Sequence, residues 1–239
     1  MSEAALRKIG VLGAMPIELK PFVRALHLQR EPWADGRSVW RGRTDTAEVT
    51  ATITGIGTAG ARAVTEGLLD SFPVEQLFMI GVAGGLDPKL GIGDLVVPEI
   101  VLDGDRDREY RPTTPAGYEA SGTLHTSDQM VLDAEPQARL LARGVVALDM
   151  ETAVVGEVCE ARGCPWSVFR AISDTVADGI VGETTLGLTN PDGSANLAAV
   201  SRLVARHPTA LRDLVKLGRD TNRATAAIAQ AAAGECRRA

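Results

Sequence analysis

Cysteine and histidine are scarce in this chain of 239 residues, with three of each. Cys159, Cys164 and Cys236 have no CxxC spacing, and no histidine has metal-ligand spacing with a cysteine or another histidine. The sequence therefore predicts neither a metal centre nor a disulfide framework. Unpaired thiols are typical of a reducing compartment, so we expect a cytoplasmic protein in which these cysteines are small core or surface residues.

Long apolar runs and excess positive charge are also missing. No window approaches the roughly 18 apolar residues of a membrane-spanning helix, and the N-terminal segment MSEAALRKIGVLGAM lacks the apolar stretch of a signal peptide. The net charge of −6 offers no general attraction to nucleic acid. With 45% hydrophobic and 23% charged residues, the composition indicates a soluble, globular chain that forms a single domain over residues 1–239.

Apolar strand-like runs alternate with helix-like segments along the chain. This alternation predicts an α/β fold with a mostly parallel or mixed central sheet flanked by helices. Predicted strands cover residues 9–12, 48–54, 77–80, 94–97 and 166–172, and predicted helices cover 17–26, 58–69, 150–161, 195–206 and 209–231. Residues 103–115 and 178–194 are expected to be loops.

A glycine motif, GIGTAG at residues 55–60, matches the dinucleotide fingerprint GxGxxG between a strand and a helix. The motif does not follow the first strand, however, and no acidic residue ends a strand about 20 positions later. Glu75 precedes the next strand instead. A tight strand-to-helix turn needs small residues whatever it binds, so we favour a structural turn over a dinucleotide site.

Three acidic residues follow strand ends. Glu18 comes shortly after Gly13, Glu151 opens a helix, and Asp174 follows the strand 166–172. Each alone is typical of a carboxylate that stabilises a helix N-terminus. Because ligands of open α/β sheets bind beyond the carboxyl ends of the strands, the three together predict a site at one sheet edge.

Four sequence blocks carry a resemblance to a known family. They are Gly13-Ala14-Met15 with Glu18, Gly81-Val82-Ala83-Gly84-Gly85-Leu86, Leu148-Asp149-Met150-Glu151 and Arg170-Ala171-Ile172-Ser173-Asp174. In order and spacing, over roughly residues 8–180, the chain resembles the bacterial methylthioadenosine/S-adenosylhomocysteine nucleosidases of the nucleoside phosphorylase superfamily. The resemblance implies a hydrolase that cleaves the bond between purine and ribose. We also expect a homodimer and no cofactor.

The resemblance also implies catalytic roles that make chemical sense. Cleavage of an N-glycosidic bond builds negative charge on the base and positive charge on the ribose, so an acid and a base both lower the barrier. Asp174 would protonate N7 of the purine, and Glu18 would activate the attacking water. A carboxyl with an ordinary pKa is a poor acid at neutral pH, so Asp174 should be partly desolvated or share its proton.

Further residues are implied to hold the substrate. Glu151 would bind the ribose hydroxyls with Met150 packed on the sugar, and Arg170 and Ser173 would hold the water and the acid in place. The glycine block supplies Ala83 and Gly84. In the segment 127–131, Met130 replaces the aromatic side chain that usually stacks on the base, and the Val131 backbone would meet the base edge. Val82 stands where the family usually has serine.

Phosphorolysis and pure binding are the alternatives. Phosphorylases of this type carry arginine before the glycine turn and near the first strand, where this chain has Ile80, Ala14 and Met15. Glu18 would repel phosphate, so we favour hydrolysis. A nucleoside sensor would not need the acid–base pair. Among substrates, futalosine and adenosylated hopanoids are alternatives to methylthioadenosine and S-adenosylhomocysteine.

The C-terminal region is basic although the protein is acidic. Arg212, Lys216, Arg219 and Arg223 recur at helical spacing and form one stripe. A stripe of this kind is usually a solvated helix face. The alternative is weak contact with anionic lipid, which would favour a substrate joined to a membrane lipid.

Overall fold

A computed structural model describes residues 5–129, 131, 133–175 and 210–238. The strands are β1 (Arg7–Gly13), β2 (Gln29–Pro32), β3 (Ser38–Arg43), β4 (Ala47–Ile53), β5 (Gln76–Gly85), β6 (Leu95–Val96), β7 (Ile100–Asp103), β8 (Arg108–Tyr110), β9 (Thr123–Thr126), β10 (Val145–Asp149) and β11 (Trp166–Thr175). The helices are α1 (Pro16–Ala25), α2 (Thr58–Ser71), α3 (Ala134–Ala142), α4 (Thr152–Arg162) and α5 (Ala210–Cys236). Predicted segments at 178–194 and 195–206 lie outside the described residues.

The strands form one mixed sheet. Its main path runs β2-β3-β4-β1-β5-β10-β9-β7-β8, while β11 pairs with β5 and β6. Every pairing among β4, β1, β5 and β11 is parallel. Strand β10 pairs with β5 in the antiparallel direction. The parallel strands bring their carboxyl ends to one edge, as the sequence predicts.

Helices cover both faces of this sheet. The two faces are set by alternation along β5, because Phe78 and Ile80 point to one cluster of buried residues and Leu77 and Met79 to the other. Helices α1 and α5 pack on the first face, and α2 and α4 pack on the second. The α5 side chains buried there include Ala224, Ile228 and Ala232, which are 0% exposed.

Two strands run further than the sequence predicts. Strand β5 does not end at Ile80 but continues through the glycine block to Gly85, and β11 continues past Ile172 to Thr175. Glycine is normally disfavoured within strands. Here the extension persists because β5 is paired on both sides, with β11 and with β10.

The expectation of an exposed loop at residues 103–115 is wrong for part of that segment. Strand β8 pairs antiparallel with β7, from Val101 opposite Tyr110 to Asp103 opposite Arg108. Tyr110 is only 1% exposed and packs among the buried residues on the face of the sheet that α2 and α4 cover. The charged side chains around it hide this short strand from an analysis of hydrophobic alternation.

Candidate active site

A buried arginine on β11 organises the candidate site. Arg170 has no exposed surface and lies opposite Gly81 of β5. Its guanidinium donates hydrogen bonds to Asp149 and to the Thr152 hydroxyl, the latter at 2.8 Å from Nη2. It also lies 4.0 Å from Glu18 Oε1 and 3.6 Å from Glu151 Oε2. Burial of a charge this far from water is tolerable only because these partners surround it.

Gly81 makes this arrangement sterically feasible. A Cβ atom at position 81 would lie 2.1 Å from Arg170 Nη1 and 2.6 Å from Glu18 Oε1, far inside any van der Waals contact. The residue is part of a strand, so its role is close approach and not an unusual turn. Within the glycine block, this position must therefore lack a side chain.

Glu18 reaches the same point from helix α1. Pro16 begins the helix, and the Glu18 carboxylate accepts hydrogen bonds from the Met15 N–H at 2.7 Å and the Val82 N–H at 2.8 Å. The side chain is thus both a helix N-terminal cap and a link to β5. Burial raises its pKa above the ordinary value, against the lowering effect of Arg170 and of the backbone donors.

The backbone of Val82 links Glu18 to Arg170 without any contribution from its side chain. Its N–H donates to Glu18, and its carbonyl accepts a hydrogen bond from Arg170 Nη1 at 3.3 Å. Both groups are independent of residue type. The absence of the family's serine therefore leaves the link between Glu18 and Arg170 intact.

Glu151 immediately precedes helix α4 and reaches across to the GIGTAG turn. Its Oε1 accepts a hydrogen bond from the Gly57 N–H at 2.9 Å, and the residue is 5% exposed. Burial, together with the nearby Asp149 carboxylate, raises its pKa to about 8, although Arg170 acts in the opposite direction. At neutral pH the Glu151 carboxyl is therefore largely protonated.

The same turn bears on the dinucleotide alternative. Asp128 accepts hydrogen bonds from the Thr58 N–H at 2.8 Å and the Thr58 hydroxyl at 2.6 Å, so it caps α2. With Glu151 on Gly57, two carboxyl groups occupy the N–H groups that would bind a pyrophosphate. This geometry supports the structural interpretation of GIGTAG.

Asp174 lies on β11 at the end of the glycine block. It pairs in register with Gly84, where an added Cβ would lie 3.5 Å from Asp174 Oδ2. The Ser173 hydroxyl donates to Asp174 Oδ1 at 2.5 Å, and the register shift between Ile172 and Asp174 marks a bulge. A bulge re-aims the side chain that follows it.

The other predicted substrate-binding residues are less closely connected to this cluster. Ala83 is buried at 3% exposure opposite Ile172, and Met150 is half-buried beside Glu151. The Val131 carbonyl accepts a hydrogen bond from Gln137 at 2.9 Å. Met130 lies outside the described residues.

Asp149 is a site residue that the sequence analysis quotes but assigns no role. It accepts hydrogen bonds from Arg170, from the Thr152 hydroxyl and N–H, and from the Thr126 hydroxyl at 2.5 Å. Thr126 in turn accepts from the Ala153 N–H. A carboxylate two residues before Glu151 was a visible signal, but only tertiary packing brings Thr126 and Arg170 to it.

The cluster carries more negative than positive charge. Glu18, Asp149 and Glu151 are three carboxyl groups around the single guanidinium of Arg170. With Glu151 protonated at neutral pH, the ionised forms of Glu18 and Asp149 leave an excess of one negative charge. Such a site stabilises a neighbouring cation and repels an anion. Among the described residues, no group of three or more histidine, cysteine or acidic side chains is arranged to hold a metal ion.

Comparison with known proteins identifies the family. A model of the phosphorylase superfamily matches residues 8–121 and 117–207. The chain belongs to this superfamily. It is 31% identical over 196 residues to a 5′-methylthioadenosine/S-adenosylhomocysteine nucleosidase from Marinomonas sp. MWYL1, covering 70% of this chain and 85% of the relative. A nucleosidase of the same name from Chromohalobacter salexigens is 29% identical over 199 residues, 71% of this chain and 85% of the relative.

Solved structures of superfamily members confirm the predicted fold. The Helicobacter pylori 5′-methylthioadenosine/S-adenosylhomocysteine nucleosidase superposes with a TM-score of 0.71 at 21% identity, covering 96% of this chain and 97% of that one. The futalosine hydrolase of the same organism gives 0.63 at 24% identity, covering 71% and 88%. The family resemblance predicted from the four sequence blocks is confirmed by the superfamily model and by the relative from Marinomonas.

Proposed function

We propose that this superfamily member is a purine nucleosidase that hydrolyses the N-glycosidic bond of a 5′-substituted adenosine. The observation that carries the proposal is the buried anionic cluster that Glu18, shortly after β1, forms with Asp149 and Glu151, at the end of β10, around Arg170 of β11. Hydrolysis of this bond passes through a ribose that carries positive charge, which such a cluster stabilises. The names of the two curated relatives point to the same reaction.

The two proposed catalytic groups meet neighbouring points of β5. Glu18 binds the Val82 N–H, and Asp174 lies against Gly84, two residues further along the strand. Two residues of an extended strand span about 7 Å. A ribosyl group and its attacking water fit a separation of this order. Asp174 donates a proton to N7 as the bond between C1′ and the base breaks, and Glu18 accepts a proton from the water that attacks C1′.

The electrostatic environment suits each carboxyl group to a different task. The raised pKa of Glu18 makes it a stronger base for a water proton than an ordinary carboxylate. Glu151, with a pKa of about 8, presents both a donor and an acceptor to the ribose 2′- and 3′-hydroxyls. Arg170 and Asp149 hold these groups in place and are positioning residues, and Ser173 does the same for Asp174.

Hydrolysis is favoured over phosphorolysis because the excess of negative charge around Arg170 opposes a phosphate dianion. The test is to incubate the enzyme with methylthioadenosine in two buffers of equal ionic strength, with and without phosphate, and to identify both products. We expect free adenine and the free 5-methylthioribose at the same rate in both buffers. A sugar 1-phosphate, or a rate that depends on phosphate, would identify a phosphorylase.

The 5′-substituent is the open part of the substrate. A panel of methylthioadenosine, S-adenosylhomocysteine, futalosine, an adenosylated hopanoid and inosine, compared by kcat/KM, resolves it. We expect the highest values for 5′-substituted adenosines. Cleavage of an inosine-type substrate without cleavage of any adenosine would refute the adenine preference. Binding without any turnover would indicate a sensor.

Assembly and location are proposals of the same kind. We propose that the protein is cytoplasmic and a homodimer, and sedimentation equilibrium of the purified protein tests the dimer. In the described ranges, no helix is long and apolar enough to cross a membrane.

The basic stripe of α5 is the part of the surface that concerns lipid. Lys216 is exposed and pairs with Asp220 at 3.0 Å, and Arg219 and Arg223 are exposed as well. We propose at most weak contact with anionic lipid, to which each basic residue adds about 1 kcal/mol. Sedimentation with anionic liposomes at low and moderate salt tests it, with a variant carrying glutamine at 212, 216, 219 and 223 as control. Absence of binding at low salt would leave the stripe a solvated face.

A further inference from the structure

Helix α4 ends in a turn that brings two cysteines together. Gly163 adopts a left-handed conformation with φ of 63°, the Cys164 N–H donates to the Cys159 carbonyl at 2.9 Å, and the Gly163 N–H donates to the Glu160 carbonyl at 3.2 Å. These two hydrogen bonds define a Schellman motif. In this motif positions are counted from the last helical residue, here Arg162. The side chains of the third residue before it and of the second residue after it commonly come into contact. Those two positions are Cys159 and Cys164.

The Cys164 thiol donates a weak hydrogen bond to the Pro165 carbonyl at 3.6 Å, and the two thiols differ in accessibility. Cys159 is completely buried in the second cluster, whereas Cys164 is half-buried at its edge. The hydrogen bond from the Cys159 thiol lowers the pKa of Cys164. The same bond, with burial, raises the pKa of Cys159. An accessible thiol that ionises more readily next to a buried partner is the arrangement of a reactive and a resolving cysteine.

We propose that Cys159 and Cys164 form a peroxide-sensitive pair that closes into an intramolecular disulfide at the end of α4. In sequence the spacing of four intervening residues has no redox signature, and the turn at Gly163 supplies the proximity. The inference is independent of the proposed nucleosidase activity. The pair lies near the end of α4 remote from Glu151, with Cys159 about 12 Å from Glu151 along the helix.

The reaction consumes one hydrogen peroxide. The Cys164 thiolate attacks one peroxide oxygen, the O–O bond breaks, and the leaving hydroxide takes a proton to become water. The resulting sulfenic acid is attacked by the sulfur of Cys159, the S–O bond breaks, and a second water leaves with the proton of Cys159. Two thiols are oxidised to one disulfide, and peroxide is reduced to two waters. A small dithiol reverses the reaction.

Cys236 provides an internal control. It is completely buried on the opposite face of the sheet, and burial raises its pKa to about 12. Reduced protein is treated with hydrogen peroxide at low molar excess, unfolded, and alkylated with a maleimide. Intact mass and peptide mass spectrometry then count and locate the free thiols. We expect three alkylated cysteines before oxidation and Cys236 alone afterwards, with a cross-linked peptide containing positions 159 and 164.

Two variants separate the steps. Cys159→Ala should stop at a sulfenic acid on Cys164 that dimedone captures, and Cys164→Ala should leave Cys159 reduced under the same conditions. The disulfide in the wild type should raise Tm, on the order of 5 °C for so short a loop. Three alkylated thiols after peroxide, or over-oxidation of Cys164 while Cys159 remains reduced, would overturn the proposal. So would a disulfide between two molecules.

Discussion

Replacing Glu151 by glutamine should stabilise the fold, and much more so at pH 8 than at pH 5. The folded protein raises the pKa of this carboxyl from 4.5 to about 8, first through burial and then through Asp149. Over this interval the folded chain keeps the proton while the unfolded chain releases it. The contribution of the group to stability is fully present below pH 4.5 and is lost as the pH rises through 8. Glutamine resembles the protonated form, and its carbonyl oxygen can keep the Gly57 hydrogen bond.

The magnitude follows from the two pKa values. The full difference corresponds to roughly 5 kcal/mol, because each pKa unit is worth about 1.4 kcal/mol. By proton linkage, the wild type has lost roughly 1 kcal/mol of its free energy of unfolding at pH 5 and roughly 4 kcal/mol at pH 8. The gain in the free energy of unfolding from Glu151→Gln should therefore grow by about 3 kcal/mol between these two pH values.

Urea unfolding at pH 5, 6.5 and 8 measures the effect. Glu157→Gln is the matched control on the same helix. Partial burial alone would raise the pKa of Glu157, but hydrogen bonds from Arg62 and Arg106 lower it overall. Its stabilising charge is thus complete throughout this range, so Glu157→Gln should destabilise by the same amount at every pH. A gain from Glu151→Gln that does not change with pH would refute the assignment of a protonated Glu151.

Three further substitutions and one control test the site. Asp174→Asn should reduce kcat below about a hundredth of wild type while leaving the urea midpoint unchanged, since it removes only the proton donor; a higher residual kcat would contradict the assignment. Glu18→Gln should be nearly inactive in the adenine-release assay yet folded by circular dichroism, with no rescue by phosphate. Gly81→Ala should lower Tm by several degrees and abolish turnover, because the added Cβ would overlap Arg170. Gly84→Ala, whose Cβ would make only ordinary contact with Asp174, should be much milder in Tm, and equal Tm losses would argue against a special role for position 81.

Local pattern was sufficient for most of the helices and for the central strands. The apolar runs that form β1, β4, β5 and β11 are continuous or alternate over several residues, and Pro16 marks the start of α1. Short strands such as β8 escape this kind of analysis. They gain their stability from a neighbouring strand and from one buried residue, here Tyr110, and not from a run of their own.

The candidate site likewise has a part that the sequence predicts and a part that depends on tertiary packing. The sequence places Glu18 after β1 and Asp174 near the end of β11, and parallel strands deliver their carboxyl ends to one edge, whereas Glu151 follows β10, which is antiparallel to β5. The identities of all three carboxyl groups can be seen in the sequence. Their electrostatic properties cannot. The pKa of Glu151 depends on its burial and on the charges of Asp149 and Arg170 around it, and these are set by how α4 packs beside β11.

What the sequence by itself determined is the family, the sheet edge and the choice of Glu18, Glu151 and Asp174 as candidate groups, since these depend on residue type and spacing along the chain. Only the tertiary structure decided that Arg170 is wholly buried among carboxyl groups, that Gly81 must lack a side chain, and that Cys159 meets Cys164. Each of these is a contact between segments, or across a turn, whose distance is fixed by packing and backbone conformation. Spacing along the chain carries no measure of that distance.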